Sequence, residues 1–356
     1  MTQVPHVRIA SIGIANPDYE VDQEKASRLL HQHYADSLNP RTLGVLRKVF
    51  AHPSVAKRHL SVENDEQLIG LKDEDPDVRI ERFNRWAVSL SVRAAQQALD
   101  KAGVAVRELG GIVVNTCTGY LCPGISTYLI EKMGMERNIH AYDLVGSGCG
   151  GSLPNIDMAA QLVRSAPDQP VLCVAVEICS ATFEMSNDMS LVISNAIFGD
   201  GAAAAVVWSK PEGLRIVSSK RRFIPEQRED VRYVYRGGRL HNKLSQRLPA
   251  IVRKQVAPVV RELLADEKLT VGDIHYWALH SGGDRMIESL RDELGLSEES
   301  VAVTREILRC YGNMSSPTAL FALHQFLARG MDPGKWCVMI GYGAGMSVYA
   351  MLLKAE

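Results

Sequence analysis

The feature of this chain that most constrains its fold is an internal duplication in the order of its predicted strands and helices. In each half a helical pattern ends, an apolar strand runs into a glycine turn, and a second apolar strand follows a further helix. The spacing is nearly constant at three points: Gly119 and Gly282 are 163 residues apart, Cys149 and Asn313 are 164 apart, and the strands that begin at Val171 and Trp336 are 165 apart. Three matches at almost one offset indicate two copies of one strand–helix unit.

The duplication predicts an α/β fold made of two pseudo-twofold halves, each with a mostly buried sheet covered by helices. The length of 356 residues agrees with this, because a chain of this size exceeds what one hydrophobic core usually serves. We place the first half at residues 1–210, with Cys149, and the second half at residues 211–356, with His280 and Asn313.

Charge and cysteine usage exclude several classes of protein. The 40 Lys and Arg residues balance 41 Asp and Glu residues, so no overall field attracts nucleic acid or an acidic membrane. The N-terminal stretch 1–15 lacks a targeting pattern, and no apolar run has the length of a membrane span. Seven cysteines without a C-x-x-C pair argue against a disulfide framework and a structural zinc site. We therefore expect a cytoplasmic enzyme that binds neither nucleic acid nor membrane and uses no metal.

Cys149 stands where an apolar run ends on glycines, in Val-Gly-Ser-Gly-Cys-Gly-Gly at 145–151, just before a helical pattern at 153–163. The N-terminus of a helix carries a partial positive charge, which lowers the pKa of a nearby thiol and favours the reactive thiolate. This position predicts a nucleophile. The alternative is a small buried apolar residue, which is the usual role of a free cysteine.

His280 and Asn313 occupy comparable turns in the second half. His280 ends an apolar strand and precedes Ser-Gly-Gly, and Asn313 lies in Tyr-Gly-Asn-Met-Ser-Ser at 311–316. Because α/β proteins place their chemistry at the carboxyl ends of buried strands, the pseudo-dyad can bring these two side chains to Cys149. Taken singly, His280 could be a strand-end histidine bound to a carbonyl, and Asn313 could be a helix N-cap.

Five ordered motifs carry a family resemblance. They are Gly148-Cys149, Ile197-Phe198-Gly199-Asp200-Gly201, His280-Ser281-Gly282-Gly283, the Asn313 motif and Gly341-Tyr342-Gly343-Ala344-Gly345. Their order and spacing resemble those of type III polyketide synthases, in particular bacterial chalcone synthase-like enzymes of the thiolase superfamily. The resemblance covers almost the whole chain. It implies a five-layered αβαβα homodimer that extends a starter acyl-CoA with malonyl-CoA units and needs no carrier protein, metal or redox cofactor.

The resemblance also implies roles for the three candidate catalytic residues. Cys149 attacks the starter thioester and holds the growing chain, and His280 stabilises its thiolate as an imidazolium partner. His280 and Asn313 donate hydrogen bonds to the enolate oxygen that forms when malonyl-CoA loses CO₂. Backbone N–H groups of Cys149 and the Gly343–Gly345 turn are weaker candidates for polarising the acyl carbonyl.

Further positions match binding residues of the family. Phe198 corresponds to a phenylalanine that gates the CoA tunnel, with an ordinary core aromatic as the alternative, and Asn242 stands near the place of a second gating phenylalanine. Lys48 and Arg285 match cationic positions that meet CoA phosphates, with solvated surface charge as the alternative. Cys122 falls where plant members carry a methionine that reaches into the partner's site. The remaining expected cavity residues are Cys117, Thr118, Cys179, Thr182 and Ser315.

Two product classes remain open. One is a small aromatic made from malonyl units alone, such as dihydroxyphenylacetyl-CoA or tetrahydroxynaphthalene, which the polar cavity residues favour. The other is an alkylpyrone or alkylresorcinol primed by a fatty acyl-CoA. Three other classes of protein remain as alternatives: a ketoacyl-carrier-protein synthase III-like condensing enzyme, a papain-like protease and a non-catalytic thiolase-fold scaffold. The Cys-Gly-Ser-Cys-Trp sequence of papain-like proteases is missing from this chain.

Overall fold

The computed structural model describes residues 6–356; residues 1–5, which open the N-terminal stretch discussed above, lie outside the described part. The strands are β1 (Arg8–Ala15), β2 (Glu20–Asp22), β3 (Lys57–His59), β4 (Gly111–Asn115), β5 (His140–Leu144), β6 (Val171–Glu177), β7 (Gly201–Trp208), β8 (Leu214–Phe223), β9 (Val231–Arg236), β10 (Arg239–Leu244), β11 (Ile274–Leu279), β12 (Trp336–Gly343) and β13 (Ser347–Ala355).

The helices begin and end as the capping signals of the sequence require. For example, Asp22, Asn39 and Asp188 accept N-cap hydrogen bonds at three of them, which satisfies free N–H groups of the first turn. The helices are α1 (Gln23–Tyr34), α2 (Pro40–Phe50), α3 (Asp65–Gly70), α4 (Pro76–Ala102), α5 (Ile125–Met133), α6 (Ser152–Ser165), α7 (Met189–Ile197), α8 (Leu248–Asp266), α9 (Asp284–Leu294), α10 (Glu298–Tyr311) and α11 (Pro317–Arg329).

The large sheet has nine strands, and its two parts, which we call the first and the second sheet, have the same strand order. The first runs β5-β4-β6-β7-β1 and the second runs β11-β12-β13-β8. They join where Arg8 and Ile9 of β1 pair with Arg215 and Leu214 of β8, and where the carbonyl of Val7 accepts the amide of Ile216. Strands β4, β6, β7 and β1 therefore occupy the places of β11, β12, β13 and β8, and β5 has no counterpart. In each half the two corresponding parallel strands, β4 and β6 or β11 and β12, lie side by side.

Helices α6 and α11 lie between the two sheets and contact both of them. Helices α4 and α5 cover the outer face of the first sheet, and α8 packs on the outer face of the second, with α9 against it. The strands alternate accordingly: Cys173 of β6 and Met339 of β12 face the central layer, whereas Val174 and Val338 face the outer helices. Because side chains alternate along a strand, each sheet is apolar on both faces. The five-layered thiolase-like fold is thus confirmed.

Two additions to this core approach the predicted site. Helices α1, α2, α3 and α7 form a smaller apolar cluster around Leu30, Leu46 and Val192. Strands β9 and β10 form a separate hairpin, which the sequence analysis did not predict. Its signal is Gly237-Gly238, both with positive φ, because a two-residue turn of this kind matches the twist of a hairpin. The division of the chain at 210 and 211 stays a prediction.

Candidate active site

Cys149 lies in a short 3-10 helix, Gly148–Gly150, that leads directly into α6. Its backbone is packed against the β12–β13 turn so closely that a Cβ on Gly343 would lie 2.6 Å from the amide nitrogen of Cys149. Gly148 has φ +54, and a Cβ there would lie 2.7 Å from the amide nitrogen of Ala344. Glycine at both positions therefore lets the two halves meet at the thiol.

His280 and Asn313 come to the same place from the second half. His280 follows β11 and is buried, and its amide donates to Ile340 of the neighbouring β12. Asn313 follows α10, one residue after Gly312 ends that helix. A cavity of about 30 Å³ is lined by Cys149, His280, Asn313 and their neighbours. The three side chains that the sequence analysis singled out thus line one space.

The carboxamide of Asn313 has a defined orientation. Its Oδ1 accepts the amide hydrogen of Ser315 at 2.8 Å, and its Nδ2 donates to the carbonyl of Gly282 at 3.1 Å. The first contact is an Asx turn, and it coincides with a positive φ of 59° at Ser315. Since an amide nitrogen carries two hydrogens, one N–H of Asn313 remains to donate into the cavity.

Burial sets the protonation of the candidate nucleophile and its partner. Desolvation raises the pKa of Cys149 to about 12, although a hydrogen bond from Ser315 lowers it. Desolvation also lowers the pKa of His280 to about 3. The sequence predicts a thiolate–imidazolium pair at this place. The structure favours the neutral thiol and imidazole, because forming two charges in a buried cavity costs more than the helix terminus and the hydroxyl supply.

A larger cavity, of about 440 Å³, opens beside Cys149. Hairpin β9–β10 covers it with alternate side chains of both strands, among them Val231, Tyr233, Asn242 and Leu244. Tyr233 was missed by the sequence analysis. Burial strongly raises the pKa of its hydroxyl, and nearby Cys117, Cys179 and Cys149 raise that pKa further. Its signal was the alternation of Val231, Tyr233 and Tyr235, which predicts that one face of a strand is covered.

Glu177, at the end of β6, is a second residue that sequence reasoning missed. It is fully buried, and its carboxylate accepts hydrogen bonds from the amides of Cys117 and Thr118 and from several hydroxyls. Burial raises its pKa, and these hydrogen bonds oppose that shift. Ser315 links it to the thiol, since the Ser315 hydroxyl lies 3.2 Å from the sulfur of Cys149 and 3.4 Å from Oε1 of Glu177. The signal was a lone acidic residue closing the apolar strand Val-Leu-Cys-Val-Ala-Val.

Most of the expected cavity residues lie around these spaces. Phe198 and Cys117 line the large cavity, and Cys117 also contacts Ser315 at 3.4 Å. Asn242, at the place of the second gating phenylalanine, is buried in the same wall. Cys179 and Thr182 line a small adjoining space behind Phe198, where the Thr182 hydroxyl donates to the carbonyl of Cys179.

Four predicted binding residues lie elsewhere. Thr118 is buried against Glu177 and lines none of these cavities. Its hydroxyl also accepts the amide of Ile178, so its contacts are structural. Cys122 is exposed, and Lys48 and Arg285 are exposed on α2 and α9. The roles of these three in binding CoA or a partner's site remain predictions.

Comparisons with known families agree with this architecture. A family model described as FAE1/Type III polyketide synthase-like protein matches residues 67–221, and the model of the chalcone and stilbene synthase C-terminal domain matches residues 215–356. The chain is 28% identical over 321 residues to a 3,5-dihydroxyphenylacetyl-CoA synthase of Streptomyces toyocaensis, covering 87% of this chain and 82% of the relative. It is 26% identical over 359 residues to the alpha-pyrone synthesis polyketide synthase-like Pks18 of Mycobacterium tuberculosis, covering 97% and 90%.

Solved structures are similar over the full length. PKS-I from the brown alga Ectocarpus siliculosus superposes with a TM-score of 0.91 at 26% identity, covering 99% of both chains. The 1,3,6,8-tetrahydroxynaphthalene synthase of Streptomyces coelicolor gives 0.90 at 25% identity, again covering 99% of both. The fold and the site define a thiolase-like condensing enzyme, which is an acyltransferase. Within that class the chain belongs to the type III polyketide synthases.

Proposed function

We propose that this enzyme builds a polyketide from malonyl-CoA on Cys149 and releases a small aromatic product. The observation that carries the proposal is a cavity of about 440 Å³ that begins at the Cys149 thiol and contains polar groups of Cys117, Tyr233 and Asn242. The family supplies the reaction class, and the three residues that line the small cavity at Cys149 supply the chemical groups that this reaction requires.

Loading begins at the thiol. As the sulfur of Cys149 attacks the starter thioester carbon, neutral His280 accepts the thiol proton and passes it to the departing CoA sulfur. A general base of this kind is needed because burial raises the pKa of Cys149. The N–H groups of Cys149 and the Gly343–Gly345 turn, which the close packing at Gly343 brings together, are the proposed donors to the carbonyl oxygen.

Condensation follows in the same space. The bond between the malonyl carboxylate and its α-carbon breaks, CO₂ leaves, and the electron pair becomes an enolate on the thioester oxygen. The free N–H of Asn313 donates to that oxygen. His280 donates to it in the tautomer whose proton lies on the cavity-facing nitrogen, which is the opposite tautomer from the one that accepts the thiol proton during loading. The enolate carbon then attacks the acyl carbon on Cys149, the bond between that carbon and the sulfur breaks, and the sulfur leaves as a thiolate. This thiolate can attack the elongated CoA thioester directly and so begin the next round. The steps balance without a metal or a redox cofactor.

The composition of the cavity wall favours malonyl units as both starter and extender. Tyr233 lines the cavity and lies near Cys117 and Cys179, and these polar groups within a mainly apolar wall supply hydrogen-bond partners for the carbonyl groups of a short β-keto chain. The relatives named as 3,5-dihydroxyphenylacetyl-CoA synthases and 1,3,6,8-tetrahydroxynaphthalene synthase support the same product class.

A fatty-acyl primer is the second candidate. Behind Phe198 lies a space of about 30 Å³ with an apolar wall that includes Leu30, Leu60, Leu71 and Leu191. An acyl chain could enter this region if the side chains moved apart, and the similarity to Pks18 favours an alpha-pyrone product. A mass-spectrometric product assay with malonyl-CoA alone and with acyl-CoA starters of increasing length separates the two. Product from malonyl-CoA alone supports the first candidate, and a strict requirement for a long starter supports the second.

The first prediction concerns pH. Because burial lowers the pKa of His280 to about 3, the imidazole stays neutral from about pH 4 upward and its ability to donate does not change there. The rate of malonyl-CoA decarboxylation should therefore show no titration between pH 5 and pH 8 that belongs to His280. Release of CO₂ measures this. A sigmoid with a midpoint near 6.5 that disappears in His280→Gln would contradict the neutral assignment.

The second prediction concerns chain length. Tyr233→Gly removes an aromatic ring from the cavity wall and so enlarges the cavity, and the enzyme should accept longer starters and release products with at least one more malonyl unit. Val234→Gly is the matched control, because Val234 is the next residue of β9 and lines none of the cavities described above; its product should be the same as that of the wild type. Liquid chromatography with mass spectrometry gives both results. An unchanged product from Tyr233→Gly would show that Tyr233 does not limit the cavity.

We also propose a homodimer in the cytoplasm. Strand β5 pairs with β4 on one side only, and its residues are largely exposed together with Tyr120 and Val145. An unpaired apolar edge strand is a template for a second chain. Cys122 lies in the same region, as its expected role at the partner's site requires. The seven free cysteines support a reducing compartment. Among residues 6–356 no helix is long and apolar enough to cross a membrane.

A further inference from the structure

The segment that carries Phe198 is held from behind by a buried arginine. Arg58, on β3, is 3% exposed, and its Nη1 donates to the carbonyls of Asn195 at 2.6 Å and Phe198 at 2.9 Å. Both carbonyls lie at the C-terminal end of α7, where a helix leaves acceptors without partners and carries a partial negative charge. The guanidinium of Arg58 supplies hydrogen bonds to these carbonyls and a positive charge beside them.

The same segment is joined to Asn313 through the backbone. Asn313 donates its amide hydrogen to Ile197 at 2.7 Å, and Gly199 donates to the carbonyl of Asn313 at 3.1 Å. Two glycines permit this approach: a Cβ on Gly199 would lie 2.3 Å from the carbonyl oxygen of Tyr311, and one on Gly312 would lie 2.5 Å from that of Ile197. A displacement of the Phe198 segment is therefore transmitted to Asn313 in the other half of the molecule.

Arg58 itself cannot move freely. Its Nε donates to Oε1 of Gln23 at 2.9 Å, and Nε2 of Gln23 donates to the carbonyl of Ala196 at 2.7 Å. On the other side of Phe198, the amide of Asp200 donates to the carbonyl of His59, the next residue of β3, at 2.8 Å. Burial lowers the pKa of Arg58 to about 10, and the nearby carboxylate of Asp200 opposes that shift. Strand β3 thus holds the Phe198 segment on both sides.

We propose that Arg58 is a positioning residue that sets Phe198 and Asn313 relative to each other and thereby governs malonyl-CoA decarboxylation. Arg58 lines the small space behind Phe198 but neither cavity at Cys149, so it acts on malonyl-CoA through these two residues and not by contact. The inference rests on the proposed role of Asn313 at the enolate. A change at Arg58 should affect decarboxylation more than the acylation of Cys149, since none of the hydrogen bonds of Arg58 given above reaches the loop that carries Cys149.

Arg58→Gln tests the proposal. The kcat for CO₂ release from malonyl-CoA should fall at least tenfold, while KM for malonyl-CoA and the rate of Cys149 acylation by acetyl-CoA, followed by intact-protein mass, should change less than threefold. Arg58→Lys, which keeps a cationic donor, should recover at least threefold over Arg58→Gln. Arg8→Gln is the matched control, because Arg8 is a buried arginine that binds Glu356 and the carbonyl of Lys210. Its kcat for CO₂ release, its KM for malonyl-CoA and its acylation rate should all stay at wild-type levels.

Gly199→Ala should also displace the Phe198 segment, because its Cβ would lie 2.3 Å from the carbonyl oxygen of Tyr311. This variant tests the proposal if Arg58→Gln does not fold. It should also lower decarboxylation at least tenfold with little effect on acylation. Equal loss of both partial reactions in these variants, or decarboxylation within threefold of the wild type, would overturn the proposal. Asn313→Ala separates this from the function itself: if that variant decarboxylates normally, the proposed role of Asn313 fails, whereas if only Arg58→Gln and Gly199→Ala decarboxylate normally, the role of Arg58 alone fails.

Discussion

Cys149→Ala should release no polyketide from malonyl-CoA, whatever starter is supplied. The alanine methyl group cannot form the thioester that holds the chain, and removal of a covalent nucleophile costs on the order of 10⁶ in kcat in a well-studied protease. Decarboxylation should persist, because it requires His280 and Asn313 and does not require the thiol. Product analysis by mass spectrometry and CO₂ release by the same sample measure the two outcomes.

The control for this variant is Cys173→Ala. Cys173 is a fully buried cysteine of β6 that faces the central core and lies outside the site, so the same atoms are removed without loss of the nucleophile. This control should release the wild-type product. Polyketide formation by Cys149→Ala would remove Cys149 from its role, and simultaneous loss of decarboxylation would show that the thiol contributes to both steps.

Asn313→Ala should lower malonyl-CoA decarboxylation by about 10²–10³, the usual cost of losing one oxyanion donor. The loss should exceed any change in starter loading, because Ser315 and Gly282 fix the orientation of the carboxamide and its proposed partner is the enolate and not the Cys149 sulfur. Asn313→Asp tests the hydrogen-bond donor more specifically. It keeps the shape of the side chain but replaces the free N–H with an oxygen that can only accept when ionised.

Asn155→Ala is the matched control for the loss of a buried carboxamide. Asn155 donates to Oδ1 of Asn115 and to the carbonyl of Val174 inside the core, so its removal tests stability without touching the cavity. It should decarboxylate malonyl-CoA within threefold of the wild type at temperatures where it is folded. If Asn313→Ala loses acylation and decarboxylation to the same extent, the carboxamide has no special relation to the enolate.

Local sequence patterns predicted the two halves of the fold, the three candidate catalytic residues and the family. The repeat of strands and turns at a nearly constant offset specified the two halves, because a strand that is buried on both faces must be a continuous apolar run, as in Val171–Glu177 and Trp336–Gly343. The glycine-containing segments before α6, after β11 and before α11 identified Cys149, His280 and Asn313 as a group. Asn313 follows helix α10 and not a strand, so its expected place at the end of a buried strand was wrong. The five ordered motifs identified the family, which the two family models confirm.

Tertiary structure decided what surrounds those three residues. The Gly237-Gly238 turn is a local signal for a hairpin, but only packing decides that the hairpin covers the cavity and places Tyr233 beside Cys117 and Cys179. Only the tertiary structure shows the partners of Arg58, because the carbonyls of Asn195 and Phe198 are 137 and 140 residues away in the sequence.

The protonation of the site was decided in the same way. A helix N-terminus and a neighbouring histidine, read from the sequence, favour a thiolate, yet the depth at which Cys149 and His280 lie reverses both expectations. Side-chain periodicity and turn chemistry act over a few residues, so the sequence alone determined the layers and the reactive groups. Cavity shape, pKa and positioning depend on desolvation and on contacts between remote segments, so only the folded chain determined them.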